Sequence, residues 1–336
     1  MKIGKHDTDE KVFIIAEIGS NHNGDFKTAC HLIAEAAKAG VDAVKFQTYI
    51  AEKLVHPSLP VISHASGVHK TQAERLKSLE FSRDQWNELK DFSIDHKVTF
   101  LSTCFDEESL ALIEPWVPAF KVASGDLTNK PLIRRMVETG KPILLSTGMA
   151  ASDEIERAIS ELPEDQRVLL HCVSKYPTKP SDANLKSVSY LKDKFKCVVG
   201  YSDHTEGILA CVGAVALGAR VIEKHFTLDK KQPLGDHRLS AEPVELKELV
   251  QKIRLLETML GFYGKPVAGE ELMQNKLRRS LATTRALKCG TVLQASDLIA
   301  IRPGEGISPW DLDRVVGKVC QKDIGEGAFL SWSDFN

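Results

Sequence analysis

The feature that most constrains this chain is a rhythm. Eight short runs rich in Val, Ile and Phe are each followed by a longer segment with helical spacing of apolar residues. The runs cover 12–19, 42–48, 99–104, 119–124, 142–147, 168–173, 198–203 and 221–226. Alternation of this kind builds a parallel sheet, and eight units ending near residue 260 favour an α/β chain closed into a (β/α)8 TIM barrel. An open doubly wound sheet would show about five or six strands and a Gly-rich first turn. No GxGxxG follows the first run.

The segments between the runs read as helices on local grounds. Residues 27–40 carry an apolar stripe and end in Gly40, and 243–261 open with Pro243 and end in Gly261. The longest interruption, from Ala51 to Glu80, is polar and follows the second run. It lies on the face where barrels place their active sites, so it is expected to fold over a substrate. A barrel uses about 250 residues, which leaves room in 336 for one small domain. Residues 1–262 are accordingly assigned to a catalytic barrel. The rhythm is lost across 263–280, which reads as a linker, and 281–336 alternate short β runs with Gly turns, as a small domain would.

Charge and cysteine usage narrow the function. With 44 Lys and Arg against 46 Asp and Glu, no global positive field exists to hold nucleic acid or an anionic membrane. The seven cysteines are scattered, without a CxxC, as expected for reduced thiols. The first residues, MKIGKHDTDE, are polar, and no segment approaches the roughly 18 apolar residues of a membrane span. A cytoplasmic protein acting on small molecules is expected.

In a closed barrel the catalytic groups come from the C-terminal ends of the strands. Nearly every run ends in polar residues: Glu17, Lys45 with Gln47, Thr103, Lys121 with Ser124, Ser146 with Thr147, Ser174 with Tyr176, Ser202 with His204, and His225. Strand alternation puts Val44 and Phe46, or Phe120 and Val122, against the helices, so Lys45 and Lys121 point into the barrel. A buried ammonium needs an anion. That anion is either a strand carboxylate or a bound phosphate and carboxylate, and the convergence of two lysines with Thr103, Ser124, Ser146 and Ser202 favours the second. His204 and His225 end consecutive runs, so each is either a hydrogen-bonded wall residue or half of a divalent metal site with Glu17 and Asp236 at hand. Asp236 belongs to GDHR, which is otherwise a loop turn. Asp203 either orients a histidine or caps the next helix.

Nine segments then stand together: AEIGSNHNG (16–24), VKFQT (44–48), STCF (102–105), FKVASGD (120–126), LLSTGM (144–149), HCVSKYPT (171–178), GYSDHTEG (200–207), EKHFTLD (223–229) and RPGEGIS (302–308). In order and separation they resemble the sialic acid synthase family, the phosphoenolpyruvate-dependent nonulosonic acid synthases of N-acetylneuraminate synthase type. The resemblance implies a barrel fused to a C-terminal antifreeze-like (SAF) domain, working as a domain-swapped homodimer. It implies that Lys45, Thr103, Lys121, Ser124, Ser146 and Ser202 hold phosphoenolpyruvate. His204 and His225 would bind a divalent metal, manganese in the first place and magnesium or cobalt as alternatives. Gln47, Asp126, Ser174, Tyr176, Asp236 and, across the dimer, Arg302 would surround an N-acylated amino-hexose. Glu17, Lys45, Lys121 and Asp236 are the implied catalytic groups.

The implied reaction joins C3 of phosphoenolpyruvate to the aldehyde of the open-chain sugar, adds water to C2 and releases phosphate by C–O cleavage. Two departures from the family pattern, Asp126 in SGD and Ser174, fall at positions that the resemblance implies face the sugar, and the PLGD loop (233–236) is a further change. The acceptor is N-acetylmannosamine or a close relative; the alternatives are a 2,4-diacetamido-trideoxyhexose leading to legionaminic or pseudaminic acid, and a catalytically silent sugar-binding protein. No extra basic cluster stands out to hold a phosphate on the sugar, so an uncharged acceptor is expected.

Overall fold

A computed structural model of the protein describes residues 1–61, 69–233, 235–261, 264–265 and 269–335. Eight parallel strands, β1 (Phe13–Gly19), β2 (Ala43–Thr48), β3 (Thr99–Cys104), β4 (Phe120–Val122), β5 (Ile143–Ser146), β6 (Arg167–Cys172), β7 (Val198–Asp203) and β8 (Val221–His225), form a closed barrel. Closure comes from β8 pairing with β1, where His225 lies beside Glu17. All eight strands fall within the runs read from the sequence or extend them by one residue, because most strand residues are buried and apolar or small.

The first helix shows why the alternation folds this way. In α1 (Phe26–Ala39) the side chain of Asp25 accepts from the Thr28 backbone N–H at the start. Gly40 ends the helix at φ +88°, a conformation that favours glycine. Ala29, Leu32, Ile33 and Ala36 form the buried stripe. The last barrel helix, Pro243–Leu260, likewise starts on its proline and buries Leu246, Leu249, Val250 and Ile253. Outward strand residues meet these helices as alternation requires: the Phe46 ring lies 5.7 Å from Trp86, edge to face.

The stretch from Ala51 to Glu80 contains two short helices, α2 (Ala51–Leu54) and α3 (Gln72–Lys77), with residues 62–68 outside the described residues. Thr71 and Glu74 close a reciprocal capping box at the start of α3. A small apolar cluster of Tyr49, Ala51 and Leu76, with Phe105 beside it, fastens α3 to the barrel top.

The chain divides into Met1–Gly261 and Phe262–Asn336. The second unit has its own core, including Leu281, Leu287, Leu293, Ile307, Val315 and Leu330, beneath an antiparallel pair of strands, Ser280–Thr283 and Leu298–Ile301. Within the stretch read as a linker, residues 271–277 form a helix, because Glu, Leu, Met, Gln and Lys are all strong helix formers. Among the described residues no helix is long and apolar enough to cross a membrane.

One ion pair sits on the outer face of the barrel wall. Lys224 Nζ lies 2.8 Å from Asp203 Oδ2, both side chains are fully buried, and the two residues are in register on β8 and β7. Asp203 also accepts from the Tyr201 hydroxyl, the Thr205 backbone N–H and hydroxyl, and the Cys211 thiol. Asp203 therefore neither orients a histidine nor caps a helix; it locks the two strands that carry His204 and His225. Lys224→Met would strand this carboxylate and is expected to cost about 3–5 kcal/mol. Asp203→Asn combined with Lys224→Met should recover part of that loss in urea unfolding, and no recovery would show that the charge pair is not the source of the loss.

Candidate active site

Inward-facing residues at the strand ends converge on a cavity of about 390 Å³. Its floor is a four-charge cluster. Lys45 Nζ lies 2.6 Å from Glu17 Oε2 and 3.7 Å from Glu223 Oε2, and donates to Thr103 Oγ1 at 2.8 Å. Glu223 also accepts from the Ser202 hydroxyl at 2.9 Å, and Glu17 from the Gln47 amide at 3.1 Å. Lys121, buried on β4 and lining the same cavity, donates to the Val122 carbonyl at 2.9 Å.

Burial and charge pull these groups apart. Desolvation pushes Glu17 up to about 7, against the pull of Lys45 and with the push of Glu223. Burial would raise Glu223 as well, but the ammonium groups of Lys121 and Lys45 and the Ser202 hydroxyl hold it below the usual carboxylate range. Desolvation works against the charge on both lysines. Lys45 is nonetheless raised by Glu17 and Glu223, whereas Lys121, repelled by Lys45 and without so close a carboxylate, is lowered. Two carboxylates and two ammonium groups thus share one small volume with differing proton affinities, a pattern that recurs at catalytic sites.

Around this floor the hydroxyls of Ser124, Ser146, Ser202 and Thr103 line the cavity, with Tyr176 and Asp236 at its side. Among the described residues the buried Ser146 Oγ has no hydrogen-bond partner, while Ser124 Oγ accepts from the Gly148 N–H at 3.0 Å. Of the sugar-facing residues read from the sequence, Gln47, Tyr176 and Asp236 line the cavity. Ser174 lines a neighbouring cavity with Thr147 and His171. Asp126 stands in the short turn after β4, within 3.4 Å of the Asn129 amide, and burial raises its pKa. Arg302 belongs to the second unit, where its Nε donates to the Leu277 carbonyl. Leu234 of the PLGD loop lies outside the described residues.

The two histidines are adjacent, with ring centroids 5.4 Å apart, and the Tyr176 ring stacks on His204 at 4.0 Å. His204 Nδ1 donates to the Val173 carbonyl at 2.7 Å, which leaves Nε2 as the free lone pair. Among the described residues the buried His225 Nδ1 has no hydrogen-bond partner, and Asp236 Oδ2 is 3.8 Å away. Desolvation lowers the pKa of both imidazoles and so favours their neutral form. Neutral, oriented imidazoles are the ligating form, and the donor set fits a divalent ion. No group of three or more His, Cys, Asp and Glu side chains converges as a metal site among the described residues. Such an ion would have an open coordination sphere.

Two charged cavity residues escaped the sequence reading. Glu223 was passed over because it lies mid-strand, although its parity with His225 on β8 could have placed it inside. Arg75, together with Gln72 and Leu76, reaches the cavity from α3, a placement no strand parity reveals.

The comparisons with known proteins agree with this geometry. The model of the NeuB family matches residues 32–265, and that of the SAF domain matches 278–336. The chain belongs to the NeuB family. It is thereby a sialic acid synthase-type enzyme. The N,N'-diacetyllegionaminic acid synthase of Legionella pneumophila is 41% identical over 95% of this chain and 93% of its own. The N-acetylneuraminate-9-phosphate synthase of Homo sapiens is 38% identical over 91% of this chain and 88% of its own. Among solved structures, an N-acetylneuraminic acid synthetase from Leptospira borgpetersenii superposes with a TM-score of 0.71 at 37% identity, covering 78% of this chain and 90% of that one. A pseudaminic acid synthase of Campylobacter jejuni is 35% identical over the whole of both chains, so family membership fixes the reaction type more closely than the acceptor.

Proposed function

We propose that the protein condenses phosphoenolpyruvate with an N-acylated amino-hexose and water to give a sialic acid-type nonulosonic acid and phosphate. The observation that carries this reading is the convergence of Lys45 and Lys121 with four hydroxyls beside the His204 and His225 pair, in a barrel of this family. Lys45 and Lys121 neutralise the phosphate and carboxylate of phosphoenolpyruvate, and Thr103, Ser124, Ser146 and Ser202 donate to their oxygens. The unpartnered Ser146 hydroxyl is one such donor in waiting. Gln47, Tyr176 and Asp236 hold the open-chain sugar with its aldehyde towards C3 of phosphoenolpyruvate, with Asp126 and Ser174 further out.

A divalent ion such as manganese, held by His204 and His225, supplies Lewis-acid polarisation of the aldehyde oxygen when bound. The new C–C bond leaves C2 electron-poor, and water adds there. Glu17, whose proton affinity is raised to about 7, can accept the proton from that water near neutral pH, with Asp236 as the neighbouring carboxylate. As the C2–O bond to phosphate breaks, the oxygen delivered by water becomes the C2 carbonyl; of the two protons of that water, one ends on the former aldehyde oxygen as a hydroxyl and the other leaves with phosphate. Arg302, carried by the SAF unit, reaches the N-acyl group of the sugar across a domain-swapped dimer.

Purified protein supplied with manganese, phosphoenolpyruvate and N-acetylmannosamine or a diacetamido-trideoxyhexose is expected to release inorganic phosphate in proportion to acceptor consumed. Sugar binding without any phosphate release would leave a silent binding protein on the same fold. His225→Ala is expected to reduce bound metal by at least tenfold while the circular dichroism spectrum is unchanged; a variant that retains its metal would remove His225 from that role. Arg302→Ala should raise the KM for the sugar several-fold more than that for phosphoenolpyruvate, and equal changes would place Arg302 elsewhere.

A further inference from the structure

Beside the main cavity lies a side notch of about 90 Å³. It shares Ser20, Arg75, Leu79 and Gly235 with the main cavity and adds Asn23, His69 and Ser78. Among the described residues no carboxylate lines it. Sugar hydroxyls are ordinarily met by carboxylates and amides that accept their protons, whereas this lining offers a guanidinium, an imidazole, two hydroxyls and an amide. At Gly235, with φ +82°, a Cβ would come within 3.3 Å of Ser20 Oγ and 3.2 Å of Asn21 Oδ1. The glycine keeps the loop backbone close over the notch.

Arg75 is the decisive group. It is half-buried on α3, and its guanidinium makes no ion pair or hydrogen bond with the described residues, although Glu74 and Lys77 beside it on the same helix are paired or capping. A partly desolvated guanidinium at the wall of a substrate cavity is stabilised by an anion that arrives with the substrate. From the amino-acid sequence Arg75 and His69 are two isolated residues in a polar stretch. The fold brings both to one notch that opens from the main cavity.

We infer that Arg75, with His69, forms an anion subsite selecting an acceptor sugar that carries a negatively charged group, phosphate or carboxylate, at the end remote from its aldehyde. The aldehyde must face the lysine and histidine floor, so the opposite end of the sugar lies towards α3 and the notch. The notch has room for one such group and not for a second sugar. This inference rests on the condensation proposed above and replaces the uncharged acceptor expected from the sequence. The product would carry the same charge at its far end, and the enzyme that supplies the acceptor would be a sugar kinase or a C6 oxidase.

Calorimetric titration of the full chain with N-acetylmannosamine, its 6-phosphate and the corresponding C6 uronic acid tests it in manganese buffer. One or both charged sugars are expected to bind at least tenfold more tightly than the uncharged parent, and the better of the two identifies the group as phosphate or carboxylate. Arg75→Gln should abolish that preference, and Arg75→Lys should keep part of it. Equal affinity for all three sugars, or a preference that survives Arg75→Gln, would overturn the subsite. Phosphate release is measured alongside: if no sugar supports it, the condensation reading fails, while the binding comparison still decides the role of Arg75.

Discussion

Everything in the site depends on the pairing that closes the barrel. When β8 pairs with β1 so that His225 lies beside Glu17, strand parity around the ring is fixed. Lys45 then lies beside Glu17, Thr103 beside both Gln47 and Lys121, and Ser202 beside Glu223. A slip of one residue in any of these pairings would exchange a cavity residue for one packed against the helices. On β8 the exchange would bring Lys224 inward and turn Glu223 and His225 out. The Asp203–Lys224 pair opposes that exchange, since its two charges are fully buried on the outer face and a slip would separate them. Two adjacent strands thus carry opposite polar clusters on their two faces, one holding register and the other facing the cavity.

Much of this was legible in the sequence, and the reason is periodicity. The eight strands, α1 and the Pro243–Leu260 helix follow from runs of buried apolar residues and from Asp, Pro and Gly at helix ends, all of which are local signals. Lys45 and Lys121 were placed inside by parity, and the cavity lining contains both. The two readings of those lysines also turn out to be compatible: Lys45 has its strand carboxylates, Glu17 and Glu223, within the pocket that also collects the hydroxyls.

What the sequence left dark depends on the third dimension. Arg75 reaches the cavity because Tyr49, Ala51 and Leu76 pin α3 over the barrel mouth, and no spacing rule links residue 75 to residue 45. Ser174 follows β6 by two residues, yet the turn carries it into the neighbouring cavity with Thr147 and His171. The helix at 271–277 was hidden because its face is exposed: without a buried stripe there is no 3.6-residue pattern to read, only composition.

The charges of the cavity limit what can enter it. Among the described residues its lining carries three cations, Lys45, Arg75 and Lys121, against three carboxylates, Glu17, Glu223 and Asp236. A neutral lining of this kind does not attract a phosphate and a carboxylate by net charge, and bringing them into a desolvated floor adds negative charge beside Glu17 and Glu223. Two features of the site can absorb that excess. One is the pair of neutral imidazoles, which can hold a divalent cation without bringing charge of their own. The other is Glu17, which starts as a carboxylate paired with Lys45 and, with its pKa near 7, can take up one proton near neutral pH and so shed its charge in the course of the reaction. The lowered affinity of Lys121 for its proton points the same way, because a nearby anion would restore it. Substrate charge, the proton on Glu17 and the charge of a divalent ion, were one held by the histidine pair, would therefore be coupled through one small volume, since the histidine pair and the carboxylate lie beside the lysines.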